Sequence, residues 1–571
     1  MTERKKIRVA AAQYHVGTDV DENLATTLRM MDQAAQHKPD LLVLPEFCNH
    51  LSWYNDKQHC FDVSVTLDGA FLAAVAAKVK ALGFYVVVNC TVQRSDGTAT
   101  GSSLLYAPGG ELVGDNTKQI YIGHENDFLE KAQAPGPIVE TPVGRLAMYA
   151  CMDGVINETP RDLSLRGAQI LCNSLNSFAT DEGSLHIPVR AAENRVFVVA
   201  ANKIGPLVPE TMVAPISEAT GIPPEFLGGA GDSQIVSPDG EVLAHAKTSG
   251  EEIVVADINP QLADQKQRPD GTDVFLNRRP ELYQDIARDP QTLSQPDWLG
   301  GEQLHAAIMR LESVGESGLR QALQNIKALD RDALQWLALP PLVDAAMAAE
   351  DLDAAEAFSQ RAIEQLAALA GDLYISTSLV CRNAQGMTQY CAVLIGGAGV
   401  VLQQGQMHFS ERFAWSALSN ELSTLALPFA RVALVTSDDS IYPEMFRLAA
   451  LAGVEVAAVP LEPLQSWELQ TGLLERSAEN RINLLVASMD NNLGESFATQ
   501  LQTDFTVMTE WKERPFDGLL SQPIWHQMAA DDQLLRVTLA PSCAENKEVS
   551  RNTHLLDDRP WALAGSIVRT A

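Results

Sequence analysis

The sequence predicts an α/β fold built twice in tandem, each copy a mixed sheet with helices on one face and a second sheet covering the other. Three observations predict it. Short apolar runs of strand length alternate with amphipathic helical stretches, hairpin-type turn formers interrupt that alternation, and the second half of the chain repeats the first.

In chain order, residues 7–13 read as a strand, 24–36 as an amphipathic helix and 41–44 as a second strand. Residues 71–82 read as a helix and 85–92 as a strand, after which Asp96-Gly97 and Pro108-Gly109-Gly110 mark two hairpin turns. A second series follows: strand 145–150, helix 159–166, strand 168–172, helix 187–194 and strand 196–201. Such βα units mixed with hairpins leave one sheet face covered by helices and the other in need of a second sheet. Around 289–301 the chain turns Pro-, Gly- and Gln-bearing and loses its periodicity. That stretch reads as a linker between domains 1–288 and 302–571.

The repeat is collinear. RLAMYACMDGVINETPRDLSLRGA from Arg145 matches RVALVTSDDSIYPEMFRLAALAGV from Arg431, and RAAENRVFVVAAN from Arg190 matches RSAENRINLLVAS from Arg476; both pairs lie 286 positions apart. Weaker matches extend it outward: IRVAAAQ near Ile7 with LHAAIMR near Leu304, LVLPEF near Leu42 with LALPPL near Leu337, and RRPELY at Arg278 with DRPWAL at Asp558.

A hydrophobic fraction of 46% and a charged fraction of 20% are those of a globular chain. The net charge of −31 argues against nucleic acid or an anionic membrane as partner, since both repel an acidic surface. The charged start, residues 1–6, lacks a signal-peptide pattern, and nowhere do about 18 apolar residues run together. The eight cysteines are scattered, with no CxxC pair and no His-bearing metal cluster. A cytoplasmic protein with free thiols is the expectation.

Three segments of the first half each place one reactive side chain at or just past the end of an apolar strand: LLVLPEF with Glu46, GDNTKQIY with Lys118 and MYACMDG with Cys151. Cys151 sits between a strand and a helix, where backbone N–H groups favour thiolate. A thiol wants a base, which a carboxylate supplies. A fixed cation and the Met152 N–H are suited to stabilise a tetrahedral oxyanion. Histidine is missing from all three segments, which argues against a Cys–His protease.

These motifs resemble the nitrilase superfamily of carbon–nitrogen hydrolases. The resemblance covers the first half and continues through Glu158, Arg161, Gly167-Ala168, Arg190 to Asn194, Asn202, Asp232-Ser233 and Pro238-Asp239-Gly240. It implies four-layer αββα sandwiches, a Glu46–Lys118–Cys151 triad, an acyl-enzyme thioester and no cofactor. In the family a second glutamate often assists just ahead of a Pro-Gly. Glu130, before Pro135-Gly136, is the assignment, with Glu125 as fallback. Met152-Asp153 keeps the aspartate of amidases and carbamoylases, so the expected substrate is a small amide or N-carbamoyl compound. Alternatives are an acyltransferase or nitrile hydrolase of the same superfamily, or a non-catalytic binding protein. A glutaminase feeding a synthetase is disfavoured, because the second half has no phosphate-binding loop.

Blander readings stand beside these. Cys48 is a rival thiol without the strand–turn–helix setting. Trp53 and Tyr54 either line the pocket or pack under a loop, and the Pro-rich stretch 205–231 is a lid or a surface insertion. In the second half Pro341 replaces Glu46, Met407 falls near the place of Lys118 and Ser437 replaces Cys151. Asp439, Glu444, Arg447, Gly453, Arg476, Glu479 and Asn480 are retained. That copy is expected to be inactive, and to stand where family members place a homodimer partner; further homo-oligomerisation is left open.

Overall fold

The computed structural model describes residues 6–489 and 491–569; the charged start at residues 1–5 lies outside them. Apolar strand runs buried on both faces account for most of the interior. Val9 and Ala11 face one way, into the space between two sheets, while Ala10 and Ala12 join Met30, Met31, Leu72 and Val75 of the helices Val20–Ala35 and Ala70–Leu82.

Each half holds two six-stranded mixed sheets. In the first half the spatial order is Glu252–Ile258, Ile7–Gln13, Leu41–Val43, Tyr85–Gln93, Ala99–Tyr106, Leu112–Thr117 in one sheet. The other runs Val242–His245, Gln234–Val236, Phe197–Ala201, Ile170–Ser174, Gly144–Ala150, Val139–Thr141. Three central strands are parallel in each sheet and the flanking pairs antiparallel. The second half reproduces both orders strand for strand, from Leu534–Leu539 through Leu304–Met309 to Gly399–Gly405, and from Ile524–Gln527 to Thr424–Leu427. The fold is therefore two tandem αββα sandwiches.

One departure from the sequence reading has a plain physical cause. The first helix starts at Val20 because Asp19 caps it, accepting from the N–H groups of Asp21 (2.9 Å) and Glu22 (3.0 Å); an apolar pattern does not register that polar first turn. The Pro-rich stretch, read as a lid or a surface insertion, holds regular structure. A ribbon of Ile204–Pro206 with Gly228–Ala230 carries the helix Glu210–Thr220 between its strands.

The halves meet through the outer helices Glu158–Leu165 and Ile187–Asn194 of the first and Pro443–Leu451 and Leu473–Asn480 of the second. Their buried ion pairs are reciprocal. Arg161 reaches Glu444 at 2.9 Å and Arg447 reaches Glu158 at 2.7 Å; Arg190 reaches Glu479 at 2.6 Å and Arg476 reaches Glu193. Every residue in these pairs has its repeat counterpart in the reciprocal pair. Chain segments also cross over: Arg268 pairs with Asp438 at 2.6 Å, and Asp181 accepts the backbone N–H groups of Ser521 (2.7 Å) and Gln522 (2.9 Å).

Removing one partner of such a pair leaves an uncompensated charge in the interior. Arg447→Ala is expected to lower unfolding stability by about 3–5 kcal/mol in urea titration, whereas replacing Arg447 and Glu158 together by apolar residues costs far less. A single-mutant loss below about 1 kcal/mol, the size of an exposed pair, would show that the interface does not rest on these contacts.

Candidate functional site

Glu46 follows the strand Leu41–Val43, and its N–H donates to Leu175 O at 3.1 Å, which joins the end of one sheet to that of the other. Ser174 Oγ donates to Leu44 O at 2.8 Å and reinforces the junction. Lys118 follows the edge strand Leu112–Thr117, its N–H on Gly101 O at 2.9 Å. Cys151 ends the strand Gly144–Ala150 and opens the four-residue helix Met152–Val155. Its N–H is held by Ser174 O (3.1 Å) and Asn173 Oδ1 (3.2 Å), and its backbone lies at φ +46°, ψ −108°, a conformation that favours glycine. As the first helical residue, Met152 leaves its N–H without an intrahelical acceptor.

Lys118 Nζ donates to Glu46 Oε1 at 2.8 Å and to Glu125 Oε2 at 3.1 Å, with all three side chains buried. Its ammonium also lies 5.6 Å from the centroid of the Phe47 ring and 5.4 Å from that of Tyr121. Asp153 ties this arm to the cysteine turn, accepting from Gln119 N at 3.0 Å and Ile120 N at 2.9 Å. Burial pushes the Glu46 carboxyl up to about 7, against the pull of Lys118. Burial, with the Glu46 charge beside it, also pushes the Cys151 thiol well above its ordinary value, and Lys118 opposes the shift. The resting group is therefore a thiol. The turn alone suggested thiolate; desolvation outweighs the backbone dipoles.

Glu46, Lys118 and Cys151 thus come together, with Met152 beside them. Glu130 does not join them. Its side chain is exposed, while its backbone N–H bonds Ala99 O at 2.8 Å and its carbonyl accepts from Tyr121 Oη at 3.2 Å. The acid that reaches Lys118 is Glu125, the fallback. The 3₁₀ turn Gly123–Asp127 folds it back, whereas counting from the Pro-Gly pointed five residues too far along. Cys48 is a buried core thiol bonded to Tyr14 Oη and Pro45 O, each at 3.1 Å, and burial pushes it up to about 11. Tyr54 packs under the loop, its hydroxyl 2.6 Å from Thr91 Oγ1; the Trp53 ring meets that of His124.

Two buried groups escaped the sequence reading. Lys203 follows the apolar strand Phe197–Ala201, and Glu182 opens a single π-helical turn, Glu182–His186. A lysine ending a wholly apolar strand was the available signal for the first; nothing local marks the second. The second half braces this region. Ile120, Met152, Val155, Ile222 and Leu227 share an apolar cluster with Phe505, Val507, Phe516 and Leu520.

In the second half, Asp439 accepts from Met407 N and His408 N, both at 2.9 Å, as Asp153 does from Gln119 and Ile120. That register sets Gln406, not Met407, in the place of Lys118. Ser437 takes ordinary helical angles, φ −49° and ψ −54°. Its hydroxyl accepts from Arg412 at 3.2 Å, and Arg412 and Arg268 clasp Asp438, each at 2.6 Å.

Comparison with known proteins places the family match within this first half: the carbon-nitrogen hydrolase family model covers residues 8–268. A nitrilase from Pyrococcus abyssi is 25% identical over 264 residues, 46% of this chain and 93% of its own. A citrullinase from Francisella tularensis is 25% identical over 303 residues, 49% of this chain and 98% of its own. Among solved structures, an amidase from Nesterenkonia sp. aligns with 50% of this chain and 97% of its own, at 21% identity and a TM-score of 0.41.

The strained backbone at Cys151 offers a check that needs no relative. Cys151→Gly is expected to be more stable than Cys151→Ala by about 1 kcal/mol in thermal or urea unfolding, the reverse of the usual order inside regular structure. Equal stabilities, or a more stable alanine variant, would show that the turn is unstrained.

Proposed function

Starting from a first half that belongs to the nitrilase, or carbon–nitrogen hydrolase, superfamily, we propose that this chain hydrolyses a non-peptide carbon–nitrogen bond in an amide or N-carbamoyl compound. The observation that carries this reading is the buried Lys118 ammonium shared by Glu46 and Glu125 beside a cysteine on a strained turn. In this reading Glu46 takes the Cys151 proton as the sulfur attacks the carbonyl carbon. Lys118 and the Met152 N–H receive the oxyanion. Collapse breaks the carbon–nitrogen bond, and the proton on Glu46 leaves with ammonia or an amine. Glu46 then takes a proton from water, whose oxygen attacks the thioester carbonyl. The acid departs, and the proton returns to sulfur. Glu125, rather than Glu130, is the second glutamate, fixing Lys118 from its other side.

Support for the substrate class comes from Met152-Asp153 and from the relatives' names, which include a citrullinase, N-carbamoylputrescine amidases and an omega-amidase. The same proposal assigns residues 1–288 to the catalytic domain, 289–301 to a linker and 302–571 to an inactive copy that replaces a partner subunit. Pro341, Gln406 and Ser437 in the three key places support inactivity, and the reciprocal interface pairs support a pseudo-dimer. Cleavage within 289–301 that left the first half stable and fully active alone would defeat that part.

The test is ammonia release across a panel of amides, carbamoyl compounds and nitriles. Wild type is expected to turn over an amide or carbamoyl member, and Cys151→Ala none. Glu46 must be ionised to act, so kcat/KM is expected to rise with pH through about 7. Turnover of nitriles alone, transfer to an added amine outpacing hydrolysis, or activity surviving in Cys151→Ala would each overturn the assignment.

A further inference from the structure

A fully buried ammonium with no hydrogen bond is costly to fold, and Lys203 is such a group. It is 0% exposed, and its Nζ has no hydrogen-bond partner among the described residues. Its backbone is fixed, the N–H on Asn202 Oδ1 at 2.9 Å and the carbonyl accepting from Gly231 N at 3.0 Å. The ammonium lies 5.8 Å from the centroid of the Phe47 ring, the same ring that Lys118 Nζ approaches to 5.6 Å. Phe47 follows Glu46 directly, adopts φ +52° and has its N–H held by Asn89 Oδ1 at 2.9 Å. On Glu46 the oxygen that Lys118 does not bind, Oε2, is likewise buried without a hydrogen-bond partner. One strained phenylalanine therefore stands against two lysines, one bonded to the base and one bonded to nothing.

Charge balance says what the second lysine does. When Glu46 is ionised to act as a base, two buried carboxylates share the single Lys118 ammonium. Glu125 also faces Glu46 and favours its neutral form, while the Glu46 charge in turn raises Cys151 and Glu182; the Lys203 charge is felt by Cys48, Cys90 and His50. Lys203 is a further cation whose field reaches Glu46 in the direction of ionisation. We propose that Lys203 is a positioning residue for the reaction, its ammonium held against Phe47 as the counter-charge that keeps Glu46 available as a base. This rests on the hydrolase reading for its consequence in turnover. Lys203 itself is lowered to about 8 by burial and remains mostly charged at pH 7.

The experiment uses the full-length chain with Lys203→Met and Lys203→Arg and two readouts. One is the pH profile of kcat/KM on an amide that the wild type turns over. The other is alkylation of Cys151 by iodoacetamide, followed by intact mass with Cys151→Ala as blank, which requires no substrate. For Lys203→Met the acid limb is expected to move up by about 1 pH unit, and alkylation at pH 7 to slow by about tenfold. Lys203→Arg is expected to keep both near wild type. Because methionine removes an unpaired buried charge, Lys203→Met is expected to melt no lower than wild type. A methionine variant that melts well below wild type makes the lysine structural and overturns the proposal. So does one whose acid limb and alkylation profile are unchanged, or a uniform loss in both variants at every pH. A wild type that turns over no amide defeats the hydrolase reading, while the alkylation arm still decides the role of Lys203.

Discussion

An ammonium stripped of water is costly to fold unless carboxylates pair with it, and in the first half Lys118 has that pairing from two sides. It lies between Glu46 and Glu125, which arrive from the end of a central strand and from a short 3₁₀ turn. Among the described residues, neither acid has another cation at bonding distance. The backbone just after Lys118 is held by Asp153, two residues past Cys151, so seating the lysine also seats the cysteine turn. Glu46 is fixed in turn through Leu175, one residue beyond the pair that holds the Cys151 N–H. The cluster is thus a closed loop of constraints, in which moving one member moves the others.

The second sandwich shows which features belong to architecture alone. Left-handed residues recur in it where a helix or turn requires them: Arg195 and Arg481 end equivalent helices, and Lys38 and Ala333 precede equivalent strands. Lys266 and Lys547 likewise donate to the last carbonyls of those two helices. The left-handed Cys151 and Phe47 have no such counterparts: Ser437 is helical, and Leu342, in the place of Phe47, is absent from the positive-φ residues described. Strain of about 1–3 kcal/mol per residue persists only where the surrounding structure over-determines it. Here it is found around the proposed nucleophile and the proposed base, and it is relaxed in the copy where an Arg412–Asp438–Arg268 network fills the space.

Much of this was legible in the sequence because it is periodic or repeated. Ile7–Gln13 and Ile187–Asn194 have the bounds that their apolar patterns give, and Asp153 and Asp439 align because the same backbone bonds recur around them. What could not be read depends on contacts between distant segments. Glu125 and Glu130 are both glutamates in an irregular stretch, and only the turn at Gly123 decides which one points inward. The one-residue shift from Met407 to Gln406 arises because the strands ahead of it differ in length from their counterparts. Lys203 is hidden for another reason: a lysine beside a polar asparagine looks like the solvated end of a strand, and only the ribbon at Gly228–Ala230 closing over it reveals burial.

Covalent linkage of the two halves changes what each must preserve. The reciprocal arginine–glutamate pairs need both copies intact, since any one lost member leaves a buried charge behind. The proposed chemical site needs only one. Even so, the second half is not free to drift around its own vacated cysteine position, because it reaches back to the first. Ser521 and Glu475 hold Asp181 and His186, which flank Glu182, and Ser550 and Thr553 bond the backbone at Gly123 and Tyr121, where the chain enters the turn that carries Glu125. The walls of the first site are therefore partly built from the second sandwich. A half that has lost the triad residues still fixes, through these contacts, the distance at which Glu125 meets Lys118.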